Sequence, residues 1–148
     1  MNSRFRGLLR LSPCASFALV AWTGVAGAQP VCPKETAEVA SAYVLLAGKM
    51  LCAKDGTDRW QEEHLAGAGD GGDLWDYKLG DGHPVDPRAK VGTWNAQRTG
   101  PLVAYSYGSG SNRWRICQVG VGSTYTLMSN QRTITGATIK ATGSACPP

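Results

Sequence analysis

Between Lys49 and Ala141 the chain is cut into eight short runs by glycine, serine, asparagine and proline, and within each run the side chains alternate in character with a period of two. The runs cover residues 49–54, 59–66, 74–79, 91–97, 102–107, 113–119, 124–128 and 133–141. Rich in Thr, Tyr, Trp and Val and bounded by turn formers, they predict strands rather than helices. Their connections are short, which favours antiparallel pairing of neighbours. A meander leaves two raw edges unless its ends meet. The pattern therefore predicts a mainly β fold, an antiparallel meander of about eight strands forming a closed or partly open barrel. One segment departs from it. Residues 34–48 (KETAEVASAYVLLAG) are rich in helix formers, with Thr36 placed to cap and Gly48 to stop a short N-terminal helix.

The first 28 residues are of another kind. Arg4, Arg6 and Arg10 precede an apolar run over 15–25, and Ala26, Gly27 and Ala28 close it. A basic start, a short apolar middle and a small-residue exit predict a secretory signal peptide cut after Ala28, with 29–148 as a single mature domain in the periplasm or outside the cell. The apolar run is shorter than the ~20 residues that cross a bilayer, and no later segment exceeds it, so no membrane span is predicted. Cys14 leaves with the signal. Cys32, Cys52, Cys117 and Cys146 then form an even set, which in a short exported chain reads as two disulfides with three connectivities open. No C-x2-C spacing offers a zinc site instead.

Charge is unevenly spread. From Asp55 to Asp86 nine acids face Arg59 and Lys78, whereas beyond Pro87 there are no acids and seven basic residues. Two readings follow from this polarity. The acidic and basic parts neutralise one another within one fold, or they make a surface or assembly protein, a homo-oligomer joined through opposite charges.

The stretch RWQEEHLAGAGDGGDLWDYKLGDGHPVDP, residues 59–87, holds both histidines and most of these acids. Folded as a hairpin with His64 opposite Asp76, it pairs Glu62 with Lys78 and Glu63 with Tyr77. A slip that sets Glu63 against Asp76 would oppose like charges. In the favoured register Trp60, Glu62, His64, Asp76 and Lys78 form a solvated face. Glu63 falls among Leu65, Trp75, Tyr77 and Leu79, where a carboxylate needs a partner such as Arg113 or Arg115. His64, Asp81, His83 and Asp86 supply donors for a metal but no H-x-H or H-E-x-x-H spacing. GAGDGGDL breaks both the EF-hand and the nonapeptide calcium series. Glycoside hydrolysis needs two carboxylates across one cleft, and Glu63 and Asp76 fall on opposite faces. There is no G-x-S-x-G nucleophile elbow and no phosphate-binding glycine loop, so no cofactor is implied and a catalytic role finds no motif.

A second hairpin over 102–119 sets Tyr105 opposite Arg115 and Tyr107 opposite Arg113, giving a tyrosine–arginine face, with Leu102, Ala104, Trp114 and Ile116 as the core face. Cys117 shares the tyrosine face, which favours Cys117–Cys146 and leaves Cys32–Cys52 to bracket the helical segment. Stacked tyrosines and arginines suit an anionic or aromatic small molecule. They would also suit single-stranded nucleic acid, which export argues against. The strand Val91-Gly92-Thr93-Trp94 resembles the Gly-x-Trp signature of lipocalins and related calycin barrels, and LVAYSYG and STYTLM are similar in style. In lipocalins that motif sits on the first barrel strand, whereas here several predicted strands precede it. The whole chain is also similar to small exported bacterial proteins of unassigned activity. The sequence thus points to an exported, non-catalytic binding or interaction module for a small molecule or a protein partner, with Glu63, Trp75, Tyr77, Tyr105, Tyr107 and Arg115 as candidate ligand-binding residues. The alternatives are a charge-driven assembly protein and a small periplasmic enzyme or metal-binding protein.

Overall fold

The structure, a computed structural model, describes residues 28–77, 88–108 and 110–146. Eight antiparallel strands close into a barrel: β2 (Lys49–Asp55), β3 (Asp58–His64), β4 (Gly71–Asp76), β5 (Ala89–Ala96), β6 (Leu102–Tyr107), β7 (Gly110–Val119), β8 (Thr124–Met128) and β9 (Thr133–Ala141). Each pairs with its neighbours in sequence, and β2 against β9 closes the ring. Closure leaves no raw edge among these strands.

One strand lies outside the predicted set. β1 (Thr36–Glu38) pairs with the last residues of β7, Cys117 to Val119, beyond Arg115, which pairs with Leu102 at the start of β6. The predicted helix shrinks accordingly to α1 (Ala42–Leu46), capped not by Thr36 but by Ser41, whose side chain accepts from the Val44 N–H at 3.1 Å. A five-residue helix has little stability of its own. Tertiary contacts hold it, because Ala42 and Leu46 are fully buried and the Ala42 and Tyr43 amides donate to the Gly100 and Gln97 carbonyls in the β5–β6 connection. α1 thereby closes that end of the barrel. Gly48 then reverses the chain with φ of 68°, in the left-handed region that glycine enters without penalty.

The core is the barrel interior. Leu51, Leu74, Trp94, Val103, Ile116, Leu127 and Ile134 contribute to it from seven strands, and all are at most 6% exposed. β4 and β5 lie so close to the neighbouring backbone that side chains are excluded at three points, one of them Gly71, whose Cβ would stand 2.0 Å from the Trp94 carbonyl oxygen. A Cβ on Gly72 would stand 2.0 Å from the Leu65 carbonyl oxygen, and one on Gly92 would stand 2.1 Å from that of Ser106. A β-bulge at Leu74/Trp75 accompanies this coiling.

Both disulfides differ from the predicted pairing. They join Cys32 to Cys117 and Cys52 to Cys146. β1 sets Glu38 against Cys117 and so brings the N-terminal segment to β7. The β2–β9 seam brings the C-terminal segment to β2. Cys117 lies on the outer face, not on the tyrosine face, since Ile116 is the inward neighbour. Links of this kind persist in an oxidising compartment. Among the described residues no helix is long and apolar enough to cross a membrane.

Candidate functional site: the mouth of the barrel

β3 alternates strictly, and closure of the sheet turns Trp60, Glu62 and His64 inward. This corrects the predicted wet face: Glu62 is 4% exposed and His64 fully buried. The β3–β4 register is also two residues from the predicted one, with Glu62 opposite Asp76, Glu63 opposite Trp75 and His64 opposite Leu74. A two-residue slip preserves which side chains share a face, so Glu62 and Asp76 lie together inside. Lys78, the predicted partner of Glu62, and Leu79, predicted on the face of Glu63, lie outside the described residues.

The second hairpin is displaced by an odd number and so changes face. Tyr107 pairs with Gly110, Tyr105 with Asn112 and Val103 with Trp114. Tyr105 and Tyr107 therefore point inward with Asn112 and Trp114, while Arg113 and Arg115 turn outward. The predicted tyrosine–arginine face does not form, because the strands pair right up to Tyr107 and Gly110 instead of leaving a longer loop.

A cavity of about 150 Å³ opens at this end of the barrel, lined by Trp60, Glu62, Tyr105, Tyr107, Asn112 and Trp114 with Leu51, Ala53, Leu127, Arg132 and Ile134. Below it the polar groups form a buried chain. The Tyr107 hydroxyl donates to Glu62 Oε1 at 2.6 Å, and His64 Nε2 lies 2.9 Å from the Tyr105 hydroxyl. His64 Nδ1 lies 3.2 Å from the Glu62 carbonyl oxygen. Trp94 packs edge-on against the imidazole at 5.2 Å and donates its Nε1–H to the Leu65 carbonyl at 3.0 Å. Burial disfavours charge at both titratable groups. It pushes the Glu62 carboxyl up to about 7, against the lowering effect of the Tyr107 hydrogen bond and with the help of Asp76. It lowers His64 to about 4 despite backbone hydrogen bonds to Glu62 and Lys49, so the imidazole is neutral at physiological pH.

At the rim Arg132 bonds Asp55 through Nε at 2.6 Å and Asp58 through Nη2 at 3.2 Å, and its guanidinium lies 4.7 Å from the Trp60 ring centre. The hairpin β2–β3 and the β8–β9 turn are thereby latched together over the indole.

The other candidate residues lie elsewhere. Glu63 faces outward, yet it is buried beneath Arg88, which pairs with it, and Tyr77, whose hydroxyl donates to it at 3.2 Å. The Arg88 guanidinium lies 4.6 Å over Trp75 and 5.7 Å from Tyr77, so Glu63, Trp75 and Tyr77 form one packed cluster on the outer wall. Its cation is Arg88 rather than Arg113 or Arg115. Arg115 pairs with Glu38 of β1 and belongs to neither group. Of the six predicted ligand-binding residues, only Tyr105 and Tyr107 line the cavity.

Among the described residues no three His, Cys, Asp or Glu side chains gather to hold a metal ion. Asp81, His83 and Asp86, weighed above with His64 as metal donors and found without ligand spacing, lie outside the described residues, as do residues 1–27 of the predicted signal peptide. The charge polarity is largely spent within the barrel. Arg88, Lys90, Arg98 and Arg132 pair with Glu63, Asp73, Asp70 and the Asp55/Asp58 couple.

No family model matches this chain, and comparison with curated proteins and with solved structures yields no match either. Its functional reading rests on the chemistry of the cavity.

Proposed function

We propose that this protein is an exported binding module that holds a small, flat organic molecule in the mouth of its barrel. The cavity carries the reading: four aromatic rings, Trp60, Tyr105, Tyr107 and Trp114, line it at the mouth of the barrel together with the buried Glu62 carboxyl. Small-molecule sites have this composition, mostly apolar and aromatic walls with few convergent polar groups. An apolar cavity of roughly 150 Å³ accommodates a benzene ring. The aromatic part of the expected ligand suits such walls. The anionic part does not, because Arg115 is outside and Arg132 is already held by two aspartates. A lipocalin-like mode of use, with the ligand entering the barrel from one end, fits the same arrangement, and residues 1–28 with the two disulfides support export.

The test uses the tryptophans as reporters. Single-ring aromatics titrated into the protein should change its fluorescence saturably. Ala53→Phe, which fills the cavity from β2, should abolish that response while near-UV circular dichroism keeps its native shape. Saturable binding that survives Ala53→Phe, or no binding by any such ring in the unaltered protein, would end the proposal.

A further inference from the structure

The charge inside the cavity narrows the ligand class, and this inference rests on the binding reading just given. We propose that the cavity selects a small organic cation, a single aromatic ring with a protonated amine on a short arm, seating the ammonium on the Glu62 carboxylate and the ring against Trp60 and Trp114.

Four observations carry it. An acid, Glu62, lines the cavity with its side chain on the inner face of β3. Among the described residues Arg132 is the one cation lining the cavity, and its charge is already met by Asp55 and Asp58 at the rim. Four aromatic rings, Trp60, Tyr105, Tyr107 and Trp114, line the cavity together with the acid, and an aromatic face attracts a cation. Finally, a guanidinium already lies over Trp60 at 4.7 Å, so the indole face accepts a positive charge in this very place. Tyr107 holds Glu62 Oε1 and fixes the carboxylate's direction. An ammonium would add a charge-assisted hydrogen bond to an acid already aimed.

Binding should then depend on pH. The groups facing Glu62 are His64 from its own strand, Asp76 from β4, Tyr105 and Tyr107 from β6, and Arg132 at the rim, while β2, β7, β8 and β9 present Leu51, Asn112, Trp114, Leu127 and Ile134, which do not titrate. Of these, His64 is neutral above about 4 and the tyrosines are raised above their ordinary value. Glu62, pushed up to about 7, changes its charge near neutrality, so cation affinity should rise as pH passes upward through that value.

The experiment titrates the mature protein by calorimetry with three probes of one shape, benzylamine, benzyl alcohol and benzoate, at about pH 8 and about pH 5.5. At the higher pH the amine should bind about tenfold more tightly than the alcohol, and benzoate should be the weakest. The amine's advantage should vanish at the lower pH and, at either pH, in Glu62→Gln, which keeps the side-chain shape and an acceptor for Tyr107. Should Glu62→Gln fail to fold, the pH series on the unaltered protein decides the matter. Alcohol binding as tight as amine binding at about pH 8, or an amine advantage that persists at about pH 5.5, would overturn the cation inference and leave the binding module standing. Failure of all three probes would remove both.

Discussion

Glu62 and His64 are neighbours on the same inward face, and burial displaces their protonation in opposite directions, which makes their combined effect on stability measurable. In the unfolded chain the carboxyl would lose its proton near 4.5 and the imidazole near 6.5, whereas in the barrel the corresponding values are about 7 and about 4. Between pH 4.5 and 6.5 the unfolded chain therefore carries a carboxylate and an imidazolium, and the folded barrel a carboxylic acid and a neutral imidazole. Both states hold one proton on the pair, so the pair's contribution to stability is flat across that window. Glu62→Gln breaks the balance. The displacement of the carboxyl from 4.5 to about 7 makes the ionised form cost about 3 kcal/mol in the folded state, an order-of-magnitude figure. The variant avoids that cost, so relative to the unaltered protein it should gain about 3 kcal/mol as pH rises from 4.5 to 7 and keep the gain above that. His64→Gln should show the reverse, losing stability with rising pH over the same range once its partner's slope is unmasked. Urea unfolding followed by tryptophan fluorescence at half-unit pH steps would read both. Stability curves for Glu62→Gln and the unaltered protein that run parallel from pH 4.5 to 7.5 would refute the buried-acid argument, with 4.5 and about 7 as the limits that burial sets.

Three further outcomes follow from the fold. Mass mapping of the unreduced protein should find Cys32 with Cys117 and Cys52 with Cys146, and replacing Cys52 and Cys146 together by alanine should lower unfolding stability by about 2–5 kcal/mol, since that link closes a separation of 94 residues. Gly92→Ala should destabilise the barrel by more than about 2 kcal/mol or prevent folding, seen as loss of the cooperative thermal transition, because its Cβ would meet the Ser106 oxygen at 2.1 Å. Glu63→Ala should cost about 2–4 kcal/mol in urea unfolding while leaving ring binding in the cavity unchanged, because its carboxylate holds Arg88 and Tyr77 on the outer wall. Loss of ring binding in a folded Glu63→Ala protein would show that the outer cluster, not the mouth, is the site.

The pattern of short alternating runs was enough to specify an antiparallel meander and its near closure, because turn formers and a period of two are local properties of the chain. The even set of four cysteines likewise implied two disulfides. Local pattern also showed which residues share a face: Trp60, Glu62 and His64 travel together in any register. What it left open was the side on which each set ends. In residues 60–64 both faces carry polar groups, Glu62 and His64 on one and Gln61 and Glu63 on the other, so hydrophobicity did not distinguish inside from outside. That absence of an apolar face was itself the available signal for a polar barrel interior. A tighter β6–β7 turn then moved Tyr105 and Tyr107 away from Arg113 and Arg115, since an odd displacement in register reverses every side chain. The disulfide partners were beyond local pattern for a related reason. They depend on β1 reaching β7 and on β2 meeting β9, contacts between segments far apart in the chain. Alternation thus decided what lies together, and closure of the sheet decided what lies within, because inside and outside come into being only when the first and last barrel strands join.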